Sequence, residues 1–264
     1  MKIIKIILII LFLSSQLMIS QTAVLKADSF KHYVDYFNKM EDENIVNAIP
    51  NSEAWDWMKN NVPYFECPQK NFEEIYYYRC WSFRKHIIKT PAGYAITEFL
   101  VDRSYADKYN LISCAFGHHI YESRWLHNTN YLDDCIRVWF RGNNGKLMDK
   151  LHSFSSWAID AVYNKYLVDN DKSFLFNIFP DLISGYSYWE NSNKLSNGLY
   201  WQYDVRDGME ESISGGRKGK NTRPTINSYM FGNAEAISAI GKLSDNIEVS
   251  KLYKNKADSL KQLT

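Results

Sequence analysis

Several signatures that sort proteins into broad classes are missing from this sequence. Neither sign of charge prevails: 31 Lys and Arg stand against 30 Asp and Glu, a formal net charge of +1. The one-signed field that holds nucleic acid or an anionic membrane surface is therefore lacking, and no nucleic-acid partner is expected. The four cysteines, Cys67, Cys80, Cys114 and Cys135, form no C-x-x-C pair, so no structural metal site is expected either. They could join in alternative disulfide pairings or stay as buried thiols, and spacing does not choose between these. No apolar run reaches the roughly 20 residues of a membrane span. Linkers rich in Pro, Gly and Ser, low-complexity tracts and a fixed repeat of about 34 to 47 residues are absent too, which argues against a solenoid and for one folded unit.

What is present begins with "MKIIKIILIILFLSSQLMIS". Lys2 and Lys5 precede an apolar run from Ile6 to Leu13, and small and polar residues follow. This is the layout of a secretory signal peptide over residues 1–20. The expectation is an exported chain, periplasmic or secreted, with no stable membrane anchor once the signal is removed. Loss of two Lys leaves the remainder, 21–264, near −1 (29 basic against 30 acidic). Aromatic content is high, at 16%, with 19 Tyr, 14 Phe and 8 Trp. Such rings fill cores, and Tyr and Trp also suit wet, ring-shaped ligands such as sugars.

Helical periodicity dominates from residue 30 onward. Phe30, Tyr33, Phe37 and Met40 recur at three- and four-residue steps, and "SEAWDWMKNN" reads as a short helix stopped before Pro63. In "NFEEIYYYRCWSFRKHIIKT", Asn71 and Glu74 read as an N-cap with its capping-box partner, and Phe72, Ile75, Phe83 and Ile87 as the buried stripe. Six more helical stretches follow, ending with "NIEVSKLYKNKADSLKQL". Only short pieces such as "GYAITEFLV" and "GLYWQYD" alternate like strands. The predicted class is all-α: helical hairpins arranged as a toroid with a binding site at one end.

Three stretches could carry chemistry. "YYYRCWSFRKH" offers Tyr77, Trp81 and Arg84 at i, i+4 and i+7, an aromatic platform beside a guanidinium, or simply a core face with a solvated charge. "GHHIYESRW" sets His118, Glu122 and Trp125 along one helical face, which suits the polar wall of a sugar pocket or an ordinary exposed face. The strongest is "GLYWQYDVRDGMEESISGGR", where aromatics lead into Asp207, Glu210 and Glu211 and glycines permit close backbone approach. Glycoside hydrolysis needs a carboxylic acid on the leaving oxygen and a second carboxylate across the sugar ring. Acids so close in sequence rarely oppose each other, so this loop should supply one of the pair.

"DGMEESISGGR", followed by "RPTINSYMFGNAEAISAI", resembles the acid loop and next helix of six-hairpin glycosidases of the mannosylglycerate hydrolase and family 63 type. Those families have a loop of the form S-G-x-D-x-S before a helix starting near L-N-x-x-x-Y. The match puts Gly208 on the loop glycine, Ser212 on the later serine, Glu210 on the general acid and Asn227 on the helix asparagine. Because the acid here is Glu rather than Asp, Asp207 and Glu211 stay in contention. The resemblance implies an (α/α)6 toroid, incomplete in this chain, with residues 21–264 as its N-terminal part and the catalytic base supplied from further hairpins. It implies an inverting glycoside hydrolase acting on an oligosaccharide or glycan without a cofactor. Candidate wall residues are Tyr77, Trp81, Arg84, Glu122, Trp125, Trp157, Trp201, Arg223 and Asn227. The alternative is a non-catalytic carbohydrate-binding or scaffold protein that kept the aromatic pocket.

Overall fold

Apolar and aromatic side chains spaced three and four residues apart place most of the chain in helices, each burying one face. In the computed structural model, residues 25–208 and 217–264 are described. Among them the α-helices are α1 (Lys31–Phe37), α2 (Ala54–Asn61), α3 (Lys70–Lys85), α4 (Ser113–Ser123), α5 (Asn130–Arg141), α6 (Ala158–Asp169), α7 (Lys172–Asn193), α8 (Pro224–Leu243) and α9 (Ile247–Leu263). Two antiparallel hairpins interrupt them: β1 (Ile87–Thr90) with β2 (Gly93–Ile96), and β3 (Trp201–Tyr203) with β4 (Lys220–Thr222). The all-α expectation holds.

Local signals explain several boundaries. Asp171 caps α7 by accepting from Phe174 N at 3.0 Å, and Asn246 caps α9 by accepting from Val249 N at 3.2 Å. Asn170 ends α6 in the left-handed conformation, φ 56°. Pro224 opens α8, where its missing N–H costs nothing.

Alternate helices share a layer. α4 packs on α6 and α6 on α8, while α5 packs on α7 and α9 lies along α8. The result is a two-layer arc of helical hairpins, with the starts of α6 and α8 and the exposed face of α4 gathered at one end. The first three helices pack on one another, with rings in contact: Tyr33 stacks on Tyr77 at 5.3 Å and Phe37 lies tilted against Trp81 at 5.8 Å. Strand β2 lies against α5.

Three sequence expectations are corrected. The predicted stripe of α3 holds only in part: Phe83 and Ile87 are buried as expected, but Phe72 and Ile75 are 58% and 61% exposed, and Tyr77, Trp81 and Arg84 of the other side are buried. Their polar tips explain how. Tyr77 exchanges hydrogen bonds with the backbone of Phe65, Trp81 Nε1 donates to Asn38 Oδ1 at 2.7 Å, and Arg84 donates to the Ile49 carbonyl at 2.6 Å and to Asn51. Second, α3 starts one residue before Asn71, with Gln69 at the cap position and no side-chain cap. Third, the first helical run does not reach Met40; in the last helix Tyr253, Ala257 and Leu260 are buried, while Ile247 and Leu252 are exposed. Met40 is likewise exposed, because α1 ends at Phe37. No disulfide joins the four cysteines.

Candidate active site

The segment after β3 tightens into a 3-10 turn, Asp204–Arg206, that delivers Asp207 and Gly208 to the gathered helix ends. Asp207 N donates to the carbonyls of Tyr203 and Asp204, both at 3.0 Å, and Ser155 N donates to Arg206 O at 2.9 Å. Gly208 follows at φ +74°, a conformation that glycine adopts without strain. Behind this turn, β3 pairs with β4, Trp201 opposite Thr222 and Tyr203 opposite Lys220. Both strands of the hairpin thus run into the site.

Asp207 lies buried on the wall of a cavity of about 550 Å³. Burial pushes its carboxyl above the ordinary range, and hydrogen bonds from Ser155, Thr225 and the Ile226 backbone, with the nearby Arg223, oppose that push. The same cavity is lined by Arg206, Thr225 and Tyr229, by Cys114, His118, Tyr121 and Glu122 of α4, by Arg79 of α3 and by Glu98. Arg79 Nε donates to Glu122 Oε1 at 2.6 Å. Glu98 faces His119 Nε2 at 3.6 Å, and that imidazole holds the Glu98 carboxyl below its usual range. Two carboxyl groups shifted in opposite directions therefore share one cavity with aromatic and hydroxyl groups. Carboxyl groups whose surroundings push them apart in this way are the raw material for the unlike roles that glycosidic hydrolysis assigns to its two acids.

The sequence of residues 108–264 matches the model of the mannosylglycerate hydrolase MGH1-like glycoside hydrolase domain. The chain belongs to this family. It is also similar to a solved structure titled "Sialidase", with a TM-score of 0.89 and 61% identity over 90% of this chain and 22% of that one. The chain thus spans about a fifth of that protein's length. No curated protein matches it.

Within this glycoside hydrolase domain the sequence candidates separate into three groups. Asp207 and Glu122 meet at the cavity. Trp125 lines an adjoining cavity that shares Arg79, Tyr121 and Glu122 with the first. Others support the site from behind. Trp157 packs edge-on against Tyr121 (4.6 Å) and His118 (5.2 Å), directly over Gly117, where a Cβ would come within 2.5 Å of the indole. Asn227 is a clamp: it accepts from Tyr200 N and donates to Tyr200 O, both at 2.8 Å, and donates to Arg223 O at 2.7 Å. Arg223 forms a buried ion pair with Asp204 at 2.9 Å. Trp201 carries Lys220 over its ring at 4.4 Å and does not line the cavity.

Tyr77, Trp81 and Arg84 are placed in the core of the first three helices rather than at the cavity, and burial lowers the Arg84 guanidinium to about 10. Glu210 and Glu211 lie outside the described residues. Sequence reasoning passed over Arg79, Glu98, Ser155, Arg206, Thr225 and Tyr229. Arg79 and Thr225 sit inside quoted motifs and could have been flagged by helical position; Glu98 carried no local signal. Among the described residues no group of three or more His, Cys, Asp and Glu could hold a metal ion, and no helix is long and apolar enough to cross a membrane.

Proposed function

We propose that the chain carries the acid-bearing side of an exported, inverting glycoside hydrolase site, with Glu210 as general acid on the loop that Asp207 anchors. The observation that carries this reading is the place of Asp207 and Gly208 on the wall of the Glu98 and Glu122 cavity, in a chain of glycoside hydrolase descent. Asp207, held by Ser155, Thr225 and the Ile226 backbone, is suited to fix the loop's root. Glu210, three residues on, takes the acid position by its match to the family loop. A second reading has one specific support: the buried Asp207 carboxyl is itself pushed toward the protonated form that a general acid needs.

Export rests on the signal-like residues 1–20. The similar structure's title names a sialidase, and such a substrate would bring its own carboxylate into the cavity. Three carboxyl groups, Glu98, Glu122 and Asp207, line that space against two guanidiniums, Arg206 and the Arg79 that Glu122 engages. The charge balance therefore favours a neutral sugar.

The test is direct. In a form that turns over oligosaccharides, Glu210→Gln should lower kcat by at least ~10², the lower end of a general acid's contribution, with little change in binding. A crippling Asp207→Asn beside a silent Glu210→Gln would transfer the role to Asp207. Binding without turnover in every form, unchanged by either substitution, would favour a carbohydrate-binding protein. N-terminal sequencing of exported material should begin between about residues 19 and 25.

A further inference from the structure

Beside the polar cavity lies a second one of about 480 Å³, within the roughly 300–1,000 Å³ of small-molecule sites. The two adjoin at Arg79, Tyr121 and Glu122, and the Arg79 side chain between them is 65% exposed. Their chemistry differs sharply. The second cavity is bounded by the rings of Trp57, Tyr76, Phe83 and Trp125 and by Val62 and Leu126.

Most of this wall is ring and aliphatic surface, and several of its polar atoms are engaged within the protein. Tyr76 Oη donates to the Pro63 carbonyl at 2.5 Å, Arg79 is paired with Glu122 at 2.6 Å, and the Tyr121 hydroxyl is hydrogen-bonded to Asp160. Arg124 stacks over Tyr121 at 3.9 Å and Trp125 at 5.2 Å, bracing both rings. Burial pushes the Cys80 thiol up to about 12, so it stays a neutral part of the lining. A sugar entering here would exchange its water mainly for ring and aliphatic carbon, which costs about 1–3 kcal/mol for each hydroxyl stranded. An alkyl or aryl group would lose nothing of the kind and would gain ring contacts, above all on Trp125, which is 53% exposed.

We infer that this cavity is an aglycone subsite: it receives an apolar alkyl or aryl group attached to a sugar held in the polar cavity, in preference to a second sugar. The inference rests on the polar cavity being the sugar site. It assigns to the chain a taste for glycosides with apolar aglycones, set by the Arg79–Glu122 pair as the boundary between the wet and dry halves.

Calorimetric titration with matched methyl and 4-nitrophenyl pyranosides of common neutral hexoses, together with free 4-nitrophenol, tests it. For the hexose that binds, the 4-nitrophenyl glycoside should bind at least tenfold more tightly than the methyl glycoside. Trp125→Ala should reduce that ratio to below about threefold and Trp125→Phe should largely keep it; circular dichroism checks that both variants are folded. Equal affinities within the pair would overturn the subsite while leaving the sugar site standing, as would a ratio insensitive to Trp125→Ala. If no glycoside of either kind binds, the sugar-site reading and the subsite fall together. Binding of 4-nitrophenol alone, lost in Trp125→Ala, would then show that the sugar-site reading was the faulty premise.

Discussion

The guanidinium of Arg223 meets the carboxylate of Asp204 at 2.9 Å, with both side chains almost wholly shielded from water. These residues stand at the two roots of the loop that carries Asp207: Asp204 just after β3, Arg223 just after β4. A charge pair in that position ties the roots together more firmly than the three-residue strands could alone. Removing one partner of a buried pair leaves the other charged and unsolvated, which typically costs about 3–5 kcal/mol. Asp204→Asn and Arg223→Met should each lower the urea midpoint strongly. The double variant should lose clearly less than the sum. Additive losses would show that the two charges do not support each other.

Gly117 should be intolerant of even one methyl group. A Cβ there would lie 2.5 Å from the Trp157 indole, which in turn backs Tyr121 and His118. Gly117→Ala is expected to cost about 1–3 kcal/mol, as overpacking of a filled core does, against the small helix-propensity gain of Ala over Gly. Thermal denaturation checks the sign. An unchanged or raised midpoint would mean that the indole moves aside freely.

The two faces of α3 make opposite predictions. Trp81, 2% exposed and donating to Asn38, should cost about 3–5 kcal/mol when replaced by Ala. Ile75→Ser and Phe72→Ser on the solvent face should stay within about 0.5 kcal/mol. Chemical denaturation of the three variants ranks them. A large loss at Ile75 would restore the face that the hydrophobic stripe suggested.

His152 gives the chain an acid-side liability. Its Nε2 bonds to the Gly185 carbonyl at 3.0 Å and its ring stacks on Tyr188 at 4.1 Å; burial lowers the imidazole to about 4. Below the unfolded value of about 6.5, the unfolded chain takes up a proton that the folded chain refuses. Stability is therefore full above pH 6.5 and falls as pH drops toward 4, by up to about 3 kcal/mol from this group. His152→Phe keeps a stacking ring and removes the titration. Its stability should fall less steeply between pH 6.5 and 4 than that of the parent, and identical slopes would refute the assignment.

Helix content was legible because Tyr, Phe and Trp recur at helical steps, and Asp207 was legible because acids beside glycines mark a reactive loop. The face of α3 was not. Phe72 and Ile75 look more apolar than Tyr77, Trp81 and Arg84, yet the latter find partners at Phe65, Asn38, Ile49 and Asn51. Those partners lie 12 to 43 positions away in the chain. Glu98 was hidden for the same reason: only the packing of the segment after β2 beside α4 puts it opposite His119 and into the cavity. Trp157, Asn227 and Arg223 were found as neighbours of the site, but their work, as backing, clamp and tie, depends on contacts that periodicity does not encode.

The pairing of β3 with β4 also makes the acid-bearing segment exchangeable. Tyr203 and Lys220 are held side by side by the ladder, so whatever runs between them starts and finishes at the same place. Lengthening such a segment costs only loop-closure entropy, about 0.6 kcal/mol for each doubling. The helical arc can therefore accept segments of different length and sequence between these strands, while α4, α6 and α8 keep their packing.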